Sequence, residues 1–205
     1  MTTPSGIVYL LDDELAMVKA LTRLLRSKQF TVQGFTSVPE FLAAYQPQTL
    51  ACLILDVAMP ELNGLELQQR LTHQGILLPI IFLTGHGDIP MSVRAIKAGA
   101  SDFLTKPVDA AALVGAVGAA LQKALSQRQA IAETAELAAR WATLSLRERE
   151  VMERVVTGAL NKQIAADLGI VEKTVKVHRG QVMAKMKVQS VAELVRAAER
   201  LRAGK

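Results

Sequence analysis

Apolar residues follow two rhythms in this chain, and the rhythm changes once. Up to about residue 122, short strand-like runs, most of them apolar, alternate with stretches whose apolar positions recur every three or four residues. The runs near 7–11, 31–35, 51–55, 80–84 and 102–105 predict strands. The stretches near 14–28, 38–45, 64–73, 90–98 and from 109 onward predict helices. Unbroken runs such as Ala51-Cys52-Leu53-Ile54-Leu55 suit strands covered on both faces, as in a parallel sheet. The β–α alternation then predicts right-handed crossovers and a doubly wound α/β fold with five parallel strands. Helix starts are signposted: Ser37-x-x-Glu40 and Asn63-x-x-Glu66 have the capping-box pattern, and Asp88 and Asp109 are expected N-caps.

Beyond that point the texture is helical throughout. All seven prolines lie at or before Pro107, and residues 119–157 contain neither Gly nor Pro. This predicts a helix running on into a helical linker, not a Gly/Ser/Pro tether. Four short helices follow, near 146–157, 161–168, 172–186 and 190–202. Ser145-x-x-Glu148 and Ser190-x-x-Glu193 start the first and last, and Gly158 and Gly169 act as stops. The expected division is a domain over 1–122, a linker over 123–143 and a small all-α four-helix domain over 144–205.

Composition narrows the class. A chain of 205 residues suits two small domains, and its 50% hydrophobic content is enough for two cores. No apolar run reaches membrane-span length, and the N-terminus lacks the basic start and apolar core of a signal peptide. The single cysteine, Cys52, sits within a strand run and suits a reducing cytoplasm as a packed thiol. The net charge of +5 is uneven: residues 1–122 carry 8 Lys+Arg and 10 Asp+Glu, residues 123–205 carry 16 and 9. A basic C-terminal part suits a polyanion such as DNA, although a solvated helical surface has the same charge.

The strand ends carry the chemistry. Asp12-Asp13, Asp56, Thr84 and Lys106 each close or follow an apolar run, and parallel strands would gather them at one carboxyl edge, where open α/β sheets bind ligands. Three carboxylates in one pocket repel one another unless a cation joins them. Mg²⁺ suits such oxygen donors, leaving Asp56 as a nucleophile toward phosphorus, with Lys106 and Thr84 receiving phosphoryl oxygens. Each residue alone has a plainer reading as a cap, a surface lysine or a strand end; the joint placement favours the site.

Asp12-Asp13, Asp56 with Met59-Pro60 and Gly64, Thr84-Gly85-His86-Gly87-Asp88, and Lys106-Pro107 together resemble the receiver domain of two-component response regulators, a flavodoxin-like fold. The resemblance covers residues 6–122. It implies that Asp56 takes a phosphoryl group from a sensor histidine kinase. It also implies Mg²⁺ held by Asp13, Asp56 and the backbone carbonyl of Ala58, with Asp12 acting through water, and a cis bond at Lys106-Pro107. Thr84 and Phe103 match the family's switch residues, Phe103 being equally a core side chain. Ala58 and His86 match positions that tune phosphate loss. The face of the fourth helix, fifth strand and fifth helix usually dimerises in this family; Gly115 and Gly118 on that helix either permit close approach or weaken it.

A second set, Leu144-Ser145-Leu146-Arg147-Glu148-Arg149-Glu150-Val151, then Gly158, Asn161-Lys162-Gln163-Ile164-Ala165 and Thr174-Val175-Lys176-Val177-His178-Arg179, resembles the LuxR-type helix-turn-helix of NarL/FixJ-class regulators over 143–202. Projection of the third helix puts Val175, Val182 and Met186 on a core face. Lys173, Val177, Gly180, Gln181 and Ala184 fall opposite, flanked by Lys176 and Arg179, and such a face can enter a major groove. The resemblance places Lys176 and Val177 nearest base edges. Asn161, Lys162, Arg179 and Lys185 are expected to hold phosphates, and Thr174 belongs to the same contact set. Val171 stands where relatives carry Ser or Thr as N-cap, and Val191, Leu194 and Val195 suit a dimer seam or their own core.

The expected function is a non-enzymatic response regulator: phosphorylation favours a homodimer on double-stranded promoter DNA, with RNA polymerase as a further partner. Direct inhibition of the DNA-binding domain by the receiver, relieved by phosphate, is a second form of this mechanism. A regulator independent of phosphate is one alternative. An Mg²⁺-dependent phosphatase is another, disfavoured because that chemistry wants a carboxylate where Ala58 stands.

Overall fold

A computed structural model describes residues 4–60, 62–85 and 89–203. Five strands, β1 (Ile7–Leu11), β2 (Thr31–Phe35), β3 (Ala51–Asp56), β4 (Ile80–Thr84) and β5 (Asp102–Thr105), pair in the order β2-β1-β3-β4-β5. Every pairing is parallel, with Leu11 opposite Leu55 and Asp56 opposite Leu83, for example. The order reverses between β1 and β3, which opens a crevice at their carboxyl ends.

Strand alternation sorts the core into two layers. Val8, Leu10, Cys52, Ile54, Ile81 and Leu83 face α1 (Leu15–Ser27) and the first half of α5 (Ala110–Ala142). Tyr9, Leu11, Leu53, Leu55, Ile80 and Phe82 face α2 (Val38–Ala44), α3 (Gly64–His73) and α4 (Ile89–Lys97). Period-two alternation along strands buried on both sides is why the sequence shows unbroken apolar runs. Cys52 is fully buried, and that burial pushes its thiol up to about 12, so it is a packing group.

The chain divides into two compact units, Met1–Arg128 and Gln129–Lys205. The second is built from the last turns of α5 with α6 (Leu146–Val156), α7 (Asn161–Leu168), α8 (Glu172–Met186) and α9 (Val191–Ala203). Leu144, Val151, Met152, Val155, Ile164, Val175, Val182, Met186 and Leu194 form its core, with Leu137 and Trp141 of α5 packed against them. Leu194 is therefore a core residue of its own unit.

Helix starts follow the patterns unequally. Ser145 and Glu148 form a full capping box, and Asp109 Oδ1 accepts from Ala112 N at 2.8 Å. Ser37 Oγ accepts from Glu40 N at 3.4 Å. Asn63 Oδ1 takes Leu65 N at 2.9 Å, while Glu66 N bonds the Asn63 carbonyl, a tighter Asx turn in place of the expected box. Asp88 and His86 lie outside the described residues. No helix is long and apolar enough to cross a membrane, among the described residues.

Candidate functional site

The crevice gathers residues that are distant in sequence. Asp12 follows β1, Asp56 ends β3, Thr84 ends β4 and Lys106 follows β5. Carboxylate oxygens of Asp12, Asp13 and Asp56 lie within 4.8 Å of one another. Lys106 Nζ sits 2.6 Å from Asp12 Oδ2 and 2.8 Å from Asp56 Oδ1. Asp12, Asp56 and Thr84 are buried, while Asp13 is exposed at the mouth. The Lys106 N–H donates to the Thr84 carbonyl at 2.7 Å, tying the β5 loop to the end of β4, and Lys106-Pro107 is cis.

Backbone groups hold the carboxylates in place. Asp56 Oδ2 accepts from Ala58 N at 3.0 Å, and Asp12 Oδ1 accepts from Glu14 N at 3.0 Å. Gly64 begins α3 against this loop: its N–H donates to the Val57 carbonyl, and a Cβ there would collide with the Asp56 carbonyl oxygen. Only glycine allows that approach. Burial alone would lower the Lys106 ammonium, but hydrogen bonds and charge from Asp12 and Asp56 outweigh it and raise it above the ordinary lysine range. Phe103 is half-buried, its ring centroid 6.5 Å from that of Phe82 in the layer facing α2–α4. The oxygen cluster suits a hard divalent cation, with one exposed donor leaving room for water and phosphoryl oxygens.

In the second unit, α7 and α8 meet across the short turn 169–171, where Gly169 takes a left-handed conformation (φ 65°). Val175, Val182 and Met186 are buried, and Lys162, Lys173, Lys176, Val177, Gly180 and Gln181 are exposed. Thr174 is half-buried. Arg179 Nη1 donates to Asn161 Oδ1 at 2.9 Å, joining two expected phosphate contacts across the helices. Val171 is the N-cap of α8 and makes no side-chain cap bond. Lys185 is exposed, and its ammonium lies 2.6 Å from buried Glu148.

Residues 8–118, more than half of the chain, match the family described as response regulator receiver domain. The chain belongs to that family. Residues 142–198 match the luxR family of bacterial regulatory proteins, so this response regulator joins a receiver to a LuxR-type helix-turn-helix in the NarL/FixJ class. It is 48% identical over 202 residues to the response regulator protein TodT of Pseudomonas putida, covering 98% of this chain and 89% of that one. The transcriptional regulatory protein FixJ of Azorhizobium caulinodans is 45% identical over 191 residues, covering 93% and 90%. The solved response regulator StyR superposes with a TM-score of 0.82 at 43% identity, covering 96% of this chain and 100% of that chain.

Two residues of this regulator escape sequence reasoning. Glu148 is legible as a cap but not as the buried partner of Lys185, 37 positions away. Arg140 lies in a linker-like stretch yet donates to the Met186 carbonyl at the end of α8. Neither pairing leaves a periodic signal.

Proposed function

We propose that Asp56 is the phosphoacceptor of a transcription factor whose DNA binding is set by phosphorylation. The observation that carries this is the buried Asp56 carboxylate, paired with Lys106 at 2.8 Å and clustered with two further carboxylates at the carboxyl edge of the sheet. An Asp56 oxygen attacks the phosphorus of a phosphohistidine on a sensor histidine kinase. The new O–P bond forms as the P–N bond breaks, and the freed imidazole leaves with a proton. Lys106 neutralises phosphoryl oxygen charge, and Thr84 hydrogen-bonds another oxygen. Asp13, Asp56 and the Ala58 carbonyl would hold Mg²⁺, with Asp12 in support. The chemistry that ion would supply is neutralisation of phosphoryl charge.

Movement of Thr84 and Phe103 then biases the α4–β5–α5 face toward a homodimer. The dimer places two α8 helices on promoter DNA, where Lys176 and Val177 face base edges and Lys173, Thr174 and Gln181 border them. Asn161, Lys162 and Arg179 engage phosphates, orienting the helix without reading sequence. The unit over 1–122, the segment 123–143 and the unit over 144–205 serve as receiver, linker and DNA-binding domain of a cytoplasmic protein that also contacts RNA polymerase.

The test is incubation with Mg²⁺ and a small phosphodonor, followed by intact mass, oligomer size and binding to promoter DNA. A single phosphate adduct and a dimer are expected, both lost in Asp56→Ala. Multiple turnover of the donor at enzyme-like rates would point instead to a phosphatase.

A further inference from the structure

We propose that the end of α5 and the start of α6 clamp the C-terminal end of α8, making Arg140 and Lys185 positioning residues for DNA reading. This rests on α8 being the DNA-reading helix. Its middle rests on apolar contacts, Val175 and Val182 being buried beneath it, with one directional bond, from Arg179 to Asn161 of α7. Apolar contacts are non-directional and leave a helix free to roll or slide slightly. More directional bonds gather at the far end.

α8 ends at Lys187, whose left-handed backbone (φ 53°) turns its N–H back to Ala184. The Met186 carbonyl is among the last four of the helix, which have no intrahelical donor. Arg140 Nη1 supplies one at 3.1 Å, and its cation complements the negative end of the helix dipole. One residue earlier, Lys185 Nζ lies 2.6 Å from Glu148 Oε2 and 3.3 Å from the Thr143 carbonyl. The same Glu148 oxygen accepts the Ser145 N–H at 2.7 Å, so a carboxylate only 3% exposed is met by two donors. The clamp is itself fixed, because Arg140 pairs with Glu136 and the Arg149 guanidinium lies 5.7 Å from the Trp141 ring centroid. All of these groups belong to the second unit, and none lies on the exposed Lys173–Gln181 face.

Glu148 is buried but Lys185 is 39% exposed, so the pair sets geometry more than it adds stability, its attraction being offset by desolvation of the carboxylate and by solvent screening. Lys185, with its ammonium on Glu148 and the Thr143 carbonyl, is thereby reassigned from phosphate contact to anchor. The angle at which α8 meets a groove is set from residues 140–148.

The experiment measures binding of the full-length protein to two duplexes across a salt series. One duplex is selected by the wild type from a random pool, and the other has the same length and a scrambled sequence. Arg140→Met and Lys185→Met should each weaken the selected duplex by roughly tenfold, the scale of one misread base pair. The scrambled duplex and the salt slope should stay unchanged, and Lys185→Arg should restore selected binding. If Lys185→Met weakens both duplexes alike and lowers the salt slope by about one, it is a phosphate contact and the proposal fails. Unchanged selected binding in Arg140→Met overturns it as well. Should Lys185→Met unfold by circular dichroism, Glu148→Gln/Lys185→Met, which leaves no unpaired buried charge, is judged by the same criteria. Lys176→Ala separates the two readings: no effect on either duplex refutes α8 as the DNA-reading helix, whereas an effect there with none in Arg140→Met refutes only the clamp.

Discussion

Lys106 is the cation that Asp12 and Asp56 hold between them, so it competes with any metal for the same charge. Removing it from two buried carboxylates leaves charge uncompensated, which costs about 3 kcal/mol. Lys106→Met should therefore unfold at lower urea than wild type when a chelator is present. Added Mg²⁺ should raise its midpoint by more than it raises the wild-type midpoint, because ligand-linked stabilisation grows with affinity. Equal increments in the two proteins would show that the ion does not share these carboxylates. Glu148 offers a pH test. Its carboxyl is held below the usual carboxylate range first by the Lys185 hydrogen bond and then by the Ser145 N–H, against burial, which pushes it up. A depressed carboxylate contributes stability that is complete above its ordinary range and lost as pH falls through its folded value. The C-terminal unit should thus melt earlier in acid, and Glu148→Gln should flatten that dependence in thermal scans from neutral to acidic pH.

Helix starts differ in how well local sequence specifies them. The α8 start lacks a cap acceptor, so Val171→Ser should stabilise the C-terminal unit by about 1 kcal/mol in urea titration. β1, β3 and β4 were legible because each is an apolar run ended or followed by a charged or hydroxylic residue, and the carboxyl edge of a parallel sheet then brings Asp12, Asp56 and Lys106 together. The Ser145 box was legible because both partners lie within one turn. Asn63 was legible only as a cap: its Asx turn takes Leu65 N, a choice that the pattern Asn-x-x-Glu does not reveal. The pairing of Lys185 with Glu148 was not legible at all. A lysine on a basic helix carries the same local signal whether it faces water or a carboxylate 37 residues away.

At the scale of the molecule, α5 is one helix that contributes to two cores. Leu113, Ala116, Val117, Ala120 and Leu121 pack in the sheet layer, whereas Leu137 and Trp141 pack with α6–α9. Cooperative opening follows shared cores, not element boundaries. Amide hydrogen exchange over 113–124 should track the receiver strands, and exchange over 134–142 should track α6 and α8. One protection value along the whole helix would contradict this. The split also bears on hybrid regulators. A chimera joined at the apparent start of the helix-turn-helix, before Leu144, would swap the reading module without its own Leu137, Arg140 and Trp141. A crossover near Arg128 keeps those side chains with the partners they evolved against, so a graft made there should inherit the donor's operator preference intact.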